Sequence, residues 1–178
     1  GGSAGVNVDF TSGIAIDGFG TTDTFTNIER VFGTSQDDTF TGTSGNQAFR
    51  GLGGNDLIDG GSGGGDEVRY NGDASKGGTL GVSVDLGAGT AIDGFGNTDT
   101  LVNIERVRGT NEDDTITGSA SNNRIQGLAG NDVLDGGDGF DEIDYSVDSF
   151  FGGTAGVTVD LAAGTATDGY GDTDTLTN

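Results

Sequence analysis

The sequence predicts an all-β solenoid with almost no helix. Three observations carry this: a nine-residue beat that opens on glycine, a longer repeat that returns Gly5 as Gly81 and Gly156, and 38 glycines without a single proline in 178 residues. A beat of nine is neither a helical period nor a plain strand alternation. It suits a six-residue loop and a three-residue strand that then turns back, so two blocks complete one coil. Loops eighteen residues apart then lie above one another on the same edge. Glycine permits the tight loop, and one inward aliphatic per strand fills a thin core. No segment carries a helical apolar stripe.

The beat is plainest from Gly109 to Asp144, which reads GTNEDDTIT, GSASNNRIQ, GLAGNDVLD, GGDGFDEID. Sixth places hold Asp114, Asn123, Asp132 and Asp141; eighth places hold Ile116, Ile125, Leu134 and Ile143. The same ladder runs from Gly33 to Val68, with Asp38, Gln47 and Asp56 at sixth places and an extra glycine delaying the last acid to Asp66. In such a coil each sixth-place Asp stacks over another, which is unfavourable unless a cation lies between them. Aspartate, main-chain carbonyls and glycine turns are the donor set of a hard ion such as Ca²⁺.

The longer repeat orders the rest. Each unit opens on an alternating strand: Val6, Val8, Phe10; Val82, Val84, Leu86; Val157, Val159, Leu161. A glycine turn follows, then a short TAI strand, the loop DGFGNTD, and TLVNIERV with Leu101, Ile104 and Val107 inward. Then comes the ladder, a strand ending at Tyr70 or Tyr145, and a glycine-rich link at Gly77–Gly78 or Gly152–Gly153. Residues 1–178 therefore read as one continuous array with units 5–80, 81–155 and a partial 156–178, cut from a longer array.

The blocks resemble the RTX (haemolysin-type) nonapeptide GGxGxDxUx. GLAGNDVLD with GGDGFDEID, and GLGGNDLID, are close matches with Leu128 and Ala129 as mild departures; GTSQDDTFT, GTNEDDTIT, GTSGNQAFR and GSASNNRIQ are degenerate. The resemblance implies a right-handed parallel β-roll with several calcium ions in its turns. Asp114 with Asp132 is then the leading site, with carbonyls of Thr110, Glu112, Gly127 and Ala129. Asp38 with Asp56 is its counterpart, with Thr34, Gln36, Gly51 and Gly53. On the opposite edge Asn123 faces Asp141, with Gly136 and Asp138 among the candidate ligands, and Gln47 faces Asp66; with fewer charges these sites are expected to be weaker or distorted. Asp99 and its counterparts Asp23 and Asp174 occupy the acid slot of a lengthened loop, with Asp93 or Asp17 beside them; a plain polar turn is the competing reading. Glu29–Arg30 and Glu105–Arg106 read as solvated surface pairs of little energetic weight.

Composition bounds function. Hydrophobic residues make up 31 % and net charge is −22, with 7 Lys plus Arg against 29 acids. That balance argues against nucleic acid or an anionic membrane as partner. No apolar run suits a membrane span, and no cysteine exists for disulfides or thiolate sites. Histidine is absent too, and serine has no base partner, so a non-catalytic module is expected. The resemblance implies a secreted or cell-surface bacterial protein, exported by type I secretion and folding on Ca²⁺. It would act as a spacer in an adhesin, surface layer or filament, packed against neighbouring repeats of its own or like chains. The alternatives are an appendage of a secreted enzyme or toxin, or a repeat that binds ice or surface glycans through a flat threonine face.

Overall fold

The computed structural model describes residues 2–178 and is built almost wholly of strands. The first unit opens with β1 (Asn7–Asp9), β2 (Ile14–Ile16) and β3 (Thr22–Thr24), followed by β4 (Arg30–Phe32). Its ladder gives β5 (Thr39–Thr43), β6 (Ala48–Arg50), β7 (Leu57–Gly61) and β8 (Glu67–Arg69). The second unit repeats this as β9 (Ser83–Asp85), β10 (Thr90–Ile92), β11 (Thr98–Val102) and β12 (Arg106–Arg108). Its ladder is β13 (Thr115–Ser119), β14 (Arg124–Gln126), β15 (Val133–Gly137) and β16 (Glu142–Ile143). The last strands are β17 (Thr158–Asp160), β18 (Thr165–Thr167) and β19 (Thr173–Thr177).

Two sheets enclose a thin core. One has six strands, all parallel, in the order β16-β14-β12-β8-β6-β4. The other has thirteen, ordered β17-β18-β19-β15-β13-β9-β10-β11-β7-β5-β1-β2-β3. Ladder strands pair in parallel with the register of a two-block coil: Phe40 opposite Ile58, Ile116 opposite Leu134, and Ile125 opposite Ile143.

The roll is not parallel throughout. Each unit inserts a three-stranded antiparallel meander into the larger sheet, β1-β2-β3, β9-β10-β11 and β17-β18-β19. The connections are too short for the crossover a parallel pair needs. They turn instead on Gly13, Gly89 and Gly164, at φ 67, 71 and 67°, a left-handed conformation that glycine takes without steric cost. The meander does not interrupt the coil: β11 pairs with β7 behind it and β9 with β13 ahead, while β8 pairs directly with β12 in the smaller sheet.

Between the sheets lie Phe40, Phe49, Ile58, Val68, Tyr70, Val84, Leu101, Ile104, Val107, Ile116, Ile125 and Leu134. In the first unit Phe40 and Phe49 stack at 6.1 Å between centroids and Phe10 meets Phe49 edge-on at 5.9 Å. Replacing Phe49, which is fully buried, by Ala is expected to lower the stability of the folded chain by about 3–5 kcal/mol, read by denaturant unfolding. Val157, Val159 and Leu161 are exposed, against the inward alternation expected of them, because β17 is the outermost strand of its sheet. The links contain a 3₁₀ turn at Asp73–Lys76 and a single helical turn at Asp148–Phe151. No helix among the described residues is long and apolar enough to cross a membrane.

Six of the seven basic residues, Arg30, Arg50, Arg69, Arg106, Arg108 and Arg124, lie on strands of the six-stranded sheet. Glu29 and Arg30 are exposed, as expected of a solvated face, and the ion pairs lie elsewhere. Among the described residues Glu67 pairs with Arg69 and with Arg108 (3.1 Å), and Arg124 with Glu142 (3.2 Å) and Asp144 (2.7 Å). Glu105 turns away from Arg106 to accept a hydrogen bond from the Asp66 N–H at 3.0 Å, and Glu29–Arg30 forms no ion pair.

Candidate metal centres

Parallel pairing aligns the residue before β1, β5, β7, β9, β13 or β15 with the second residue of β11 or β19 in a row along the sheet edge. On the larger sheet the rows read Val6, Asp38, Asp56, Asp99 and Val82, Asp114, Asp132, Asp174. Every member donates its N–H to the carboxylate of the next: Val6 to Asp38 (2.6 Å), Asp38 to Asp56 (2.8 Å), Asp56 to Asp99 (3.0 Å). The second row repeats this at 2.7, 2.9 and 3.0 Å. All six aspartates are buried.

The stacked acids are not equivalent. Asp38 is saturated by protein donors, because Thr34 adds its N–H (2.6 Å) and its hydroxyl (3.0 Å) to the bond from Val6. Thr110 does the same for Asp114, at 2.7 and 2.9 Å. Asp56 and Asp132 receive only one N–H each, and their Oδ2 atoms are buried with no hydrogen-bond partner. Asp99 and Asp174 spend their second oxygen on the hydroxyls of Tyr70 (3.2 Å) and Tyr145 (2.7 Å). Burial, with neighbouring carboxylates adding to it, pushes Asp56 and Asp132 up to about 8, Asp99 to about 7 and Asp114 to about 6.

Glycine makes room for the unpartnered oxygens. A Cβ at Gly51 would stand 1.9 Å from Asp56 Oδ2, and one at Gly127 1.9 Å from Asp132 Oδ2. The carbonyl of Gly51 lies beside Gly33 and that of Gln36 beside Gly54; those of Gly127 and Glu112 repeat the arrangement beside Gly109 and Gly130. Among the described residues the carbonyls of Thr34, Gln36, Gly51, Gly53, Thr110, Gly127 and Ala129 accept no main-chain hydrogen bond outside the sheets, and Glu112 accepts only a long one (3.4 Å) from the Thr110 hydroxyl. A buried acidic oxygen without a donor, in a loop whose carbonyls lack donors, suits a hard cation. Gly127→Ala is expected to displace the Asp132 carboxylate and lower the calcium stoichiometry by at least one ion, read by native mass spectrometry. Leu52 and Leu128, which stand where the nonapeptide has glycine, take φ 74 and 81°. They are thus more than mild departures, since a left-handed backbone costs a side chain roughly 1–2 kcal/mol.

The opposite edge carries a second row of mixed acids and amides. Gln47 donates its N–H to Asp66 (2.6 Å) and Asn123 to Asp141 (2.8 Å). The amide oxygens are already engaged, Gln47 Oε1 by Thr43 N–H and Asn123 Oδ1 by Ser119 N–H, at 2.9 and 2.6 Å. Asp66 Oδ2 has no partner, and Asp141 Oδ2 sits 2.8 Å from where a Cβ on Gly136 would be. Asp138 is exposed at the tip of its loop and donates its N–H to Ser119. Asp23 stands apart from the others: β3 is the far edge of its sheet, pairs only with β2, and leaves Asp23 exposed with no acid stacked on it.

Sequence reasoning did not single out Asp73, Asp148 or Asp168, and it read Glu105 only as a surface charge. The signal for two of them was present, since YNGD from Tyr70 recurs as YSVD from Tyr145. Among the described residues no three acidic side chains converge closely enough to hold one ion alone. Each centre therefore depends on main-chain oxygens or water beside one or two carboxylates.

Compared with known families, residues 32–65 and 108–143 match the model of the RTX calcium-binding nonapeptide repeat (4 copies). The matched segments coincide with the two ladders that carry the stacked acids. Comparison with curated proteins gives no significant match.

Proposed function

We propose that these RTX nonapeptide ladders make the chain a calcium-stabilised, non-catalytic module of a secreted or cell-surface protein, folding when it meets calcium outside the cell. The supporting observation is the pair of buried, partnerless oxygens on Asp56 and Asp132, each cradled by a glycine. Ca²⁺ would be held there by Asp56 and Asp132, with Asp38 and Asp114 contributing charge from the neighbouring rung. The ion would supply positive charge, and the carboxylate and carbonyl oxygens of the chain would ligate it. The chain supplies the glycine cradle and the spacing. Asp66, Asp141 and Asn123 form weaker sites on the other edge, and Asp99 extends the strong row by one rung.

Because parallel crossovers are right-handed in about 98 % of cases, the coil is read as right-handed. Units 5–80, 81–155 and 156–178 form one continuous array, and the two sheets passing unbroken through the meander between the ladders suit a stiff spacer in an adhesin, surface layer or filament. Extracellular calcium modules bind in roughly the 10⁻⁴–10⁻³ M range, so the chain would stay open in a calcium-poor cytosol and close after export. Circular dichroism with and without calcium tests the reading: the same folded spectrum in chelator would sink it.

A further inference from the structure

The link after each ladder brings an aspartate against the loop of the meander that follows. The 3₁₀ turn at Asp73–Lys76 directs Asp73 Oδ2 to the Gly94 N–H (3.2 Å), and the helical turn at Asp148–Phe151 directs Asp148 Oδ2 to the Gly169 N–H (3.0 Å). From the loop side Asp93 Oδ1 accepts the N–H groups of Phe95 (2.9 Å) and Asn97 (2.7 Å). Asp168 Oδ1 likewise accepts those of Tyr170, Gly171 and Asp172. The four acids are 1, 0, 2 and 0 % exposed for Asp73, Asp93, Asp148 and Asp168.

The atoms left over are the same in both units. Asp73 Oδ1 and Asp93 Oδ2, then Asp148 Oδ1 and Asp168 Oδ2, are buried without any hydrogen-bond partner. The links that place them share little else, NGDASKGG against SVDSFFGG. An ionised oxygen buried with no donor is strongly unfavourable, and here each unit has one on the link and one on the loop that the link contacts. A protein cation is not their common partner. Burial raises Asp73 to about 7 in spite of Arg50, whose guanidinium bonds Asn71 (2.6 Å), lies over the Phe32 ring and leaves its Nε without a partner, and the matching position in the second unit is the neutral Gln126. Glycine holds the two acids close, since a Cβ on Gly94 or Gly169 would come within 3.0 or 2.8 Å of the opposing aspartate Cβ.

We infer that Asp73 with Asp93, and Asp148 with Asp168, form a second class of divalent-cation site, one per unit, outside the nonapeptide ladders. The ion bridges two carboxylates, water completes its shell, and the link is thereby fastened over the next meander. The inference rests on the calcium reading only for the identity of the ion.

Asp73→Asn and Asp148→Asn test it on the whole chain. Asparagine keeps the oxygen that the Gly94 or Gly169 N–H needs and replaces the partnerless one. By native mass spectrometry in calcium, each variant is expected to bind one ion fewer than the parent and to keep its strand spectrum. In chelator each should retain more structure than the parent, because a buried charge is gone; a merely structural aspartate would lose stability in both conditions. Terbium gives a further readout, since the chain has three tyrosines and no tryptophan and the Tyr170 hydroxyl donates to the main-chain carbonyl of Asp148 (3.4 Å). Asp148→Asn should cut tyrosine-sensitised terbium emission at least two-fold. An unchanged ion count and emission overturns the inference for that unit while leaving the ladder reading intact. A parent chain that binds no calcium sinks both.

Discussion

Removing calcium with a chelator at pH 7.5 is expected to unfold the whole chain, not merely loosen its rims. A net charge of −22 is spread over 178 residues, and the buried acids of each row stand one strand apart. Each ion bound at about ten times its Kd contributes about 1.4 kcal/mol, so several ions together reach the lower end of the 5–15 kcal/mol by which domains are ordinarily stable. The core cannot compensate, being one apolar side chain thick. Strand circular dichroism should disappear and the radius of gyration should move towards roughly 45 Å, the value for an unfolded chain of this length. Returning millimolar calcium should reverse both. A compact particle in chelator would contradict this.

Without calcium, acid should fold the chain instead of denaturing it. Burial raises Asp56 and Asp132 to about 8, Asp73 and Asp99 to about 7, and Asp114 to about 6, from an ordinary value of 3.8. A carboxyl whose folded value is raised binds more protons folded than unfolded, so stability falls as pH rises. The stabilisation is complete below about pH 4 and is lost between there and pH 8. All five shifts have the same sign, so their protonation acts together in favour of the folded chain. Asp144, held at about 2 by hydrogen bonds from Ser146, Gln126 and Arg124, opposes the trend only at the acid end. Lowering the pH from 8 to 5 in chelator should therefore restore strand signal; a further loss of structure on acidification would refute the assignment. With calcium saturating, the sign reverses, because protons then compete with the ion for the same oxygens.

Much of this is legible in the residues alone. Glycine at every ninth place and an aliphatic two places after the acid set the strand, the loop and the coil, and a spacing of eighteen stacks Asp38 on Asp56 and Asp114 on Asp132. The family match over 32–65 and 108–143 follows from the same spacing. Less legible was the division of labour within the row. Thr34 and Thr110 saturate one acid of each pair because threonine follows the glycine of the degenerate blocks, whereas leucine follows it in GLGGNDLID and GLAGNDVLD and leaves Asp56 and Asp132 with an oxygen to spare.

The sequence by itself determined the period, and through it every contact between one coil and the next, because a regular repeat converts chain distance directly into position. Only the tertiary structure decided what lies outside that period: the antiparallel meanders, the turn of Glu105 towards Asp66, and the approach of Asp73 and Asp148 to loops about twenty residues further on. Those contacts join a link to a loop with no shared beat. Their geometry follows from how the meander packs on the coil, which no local pattern of residues records.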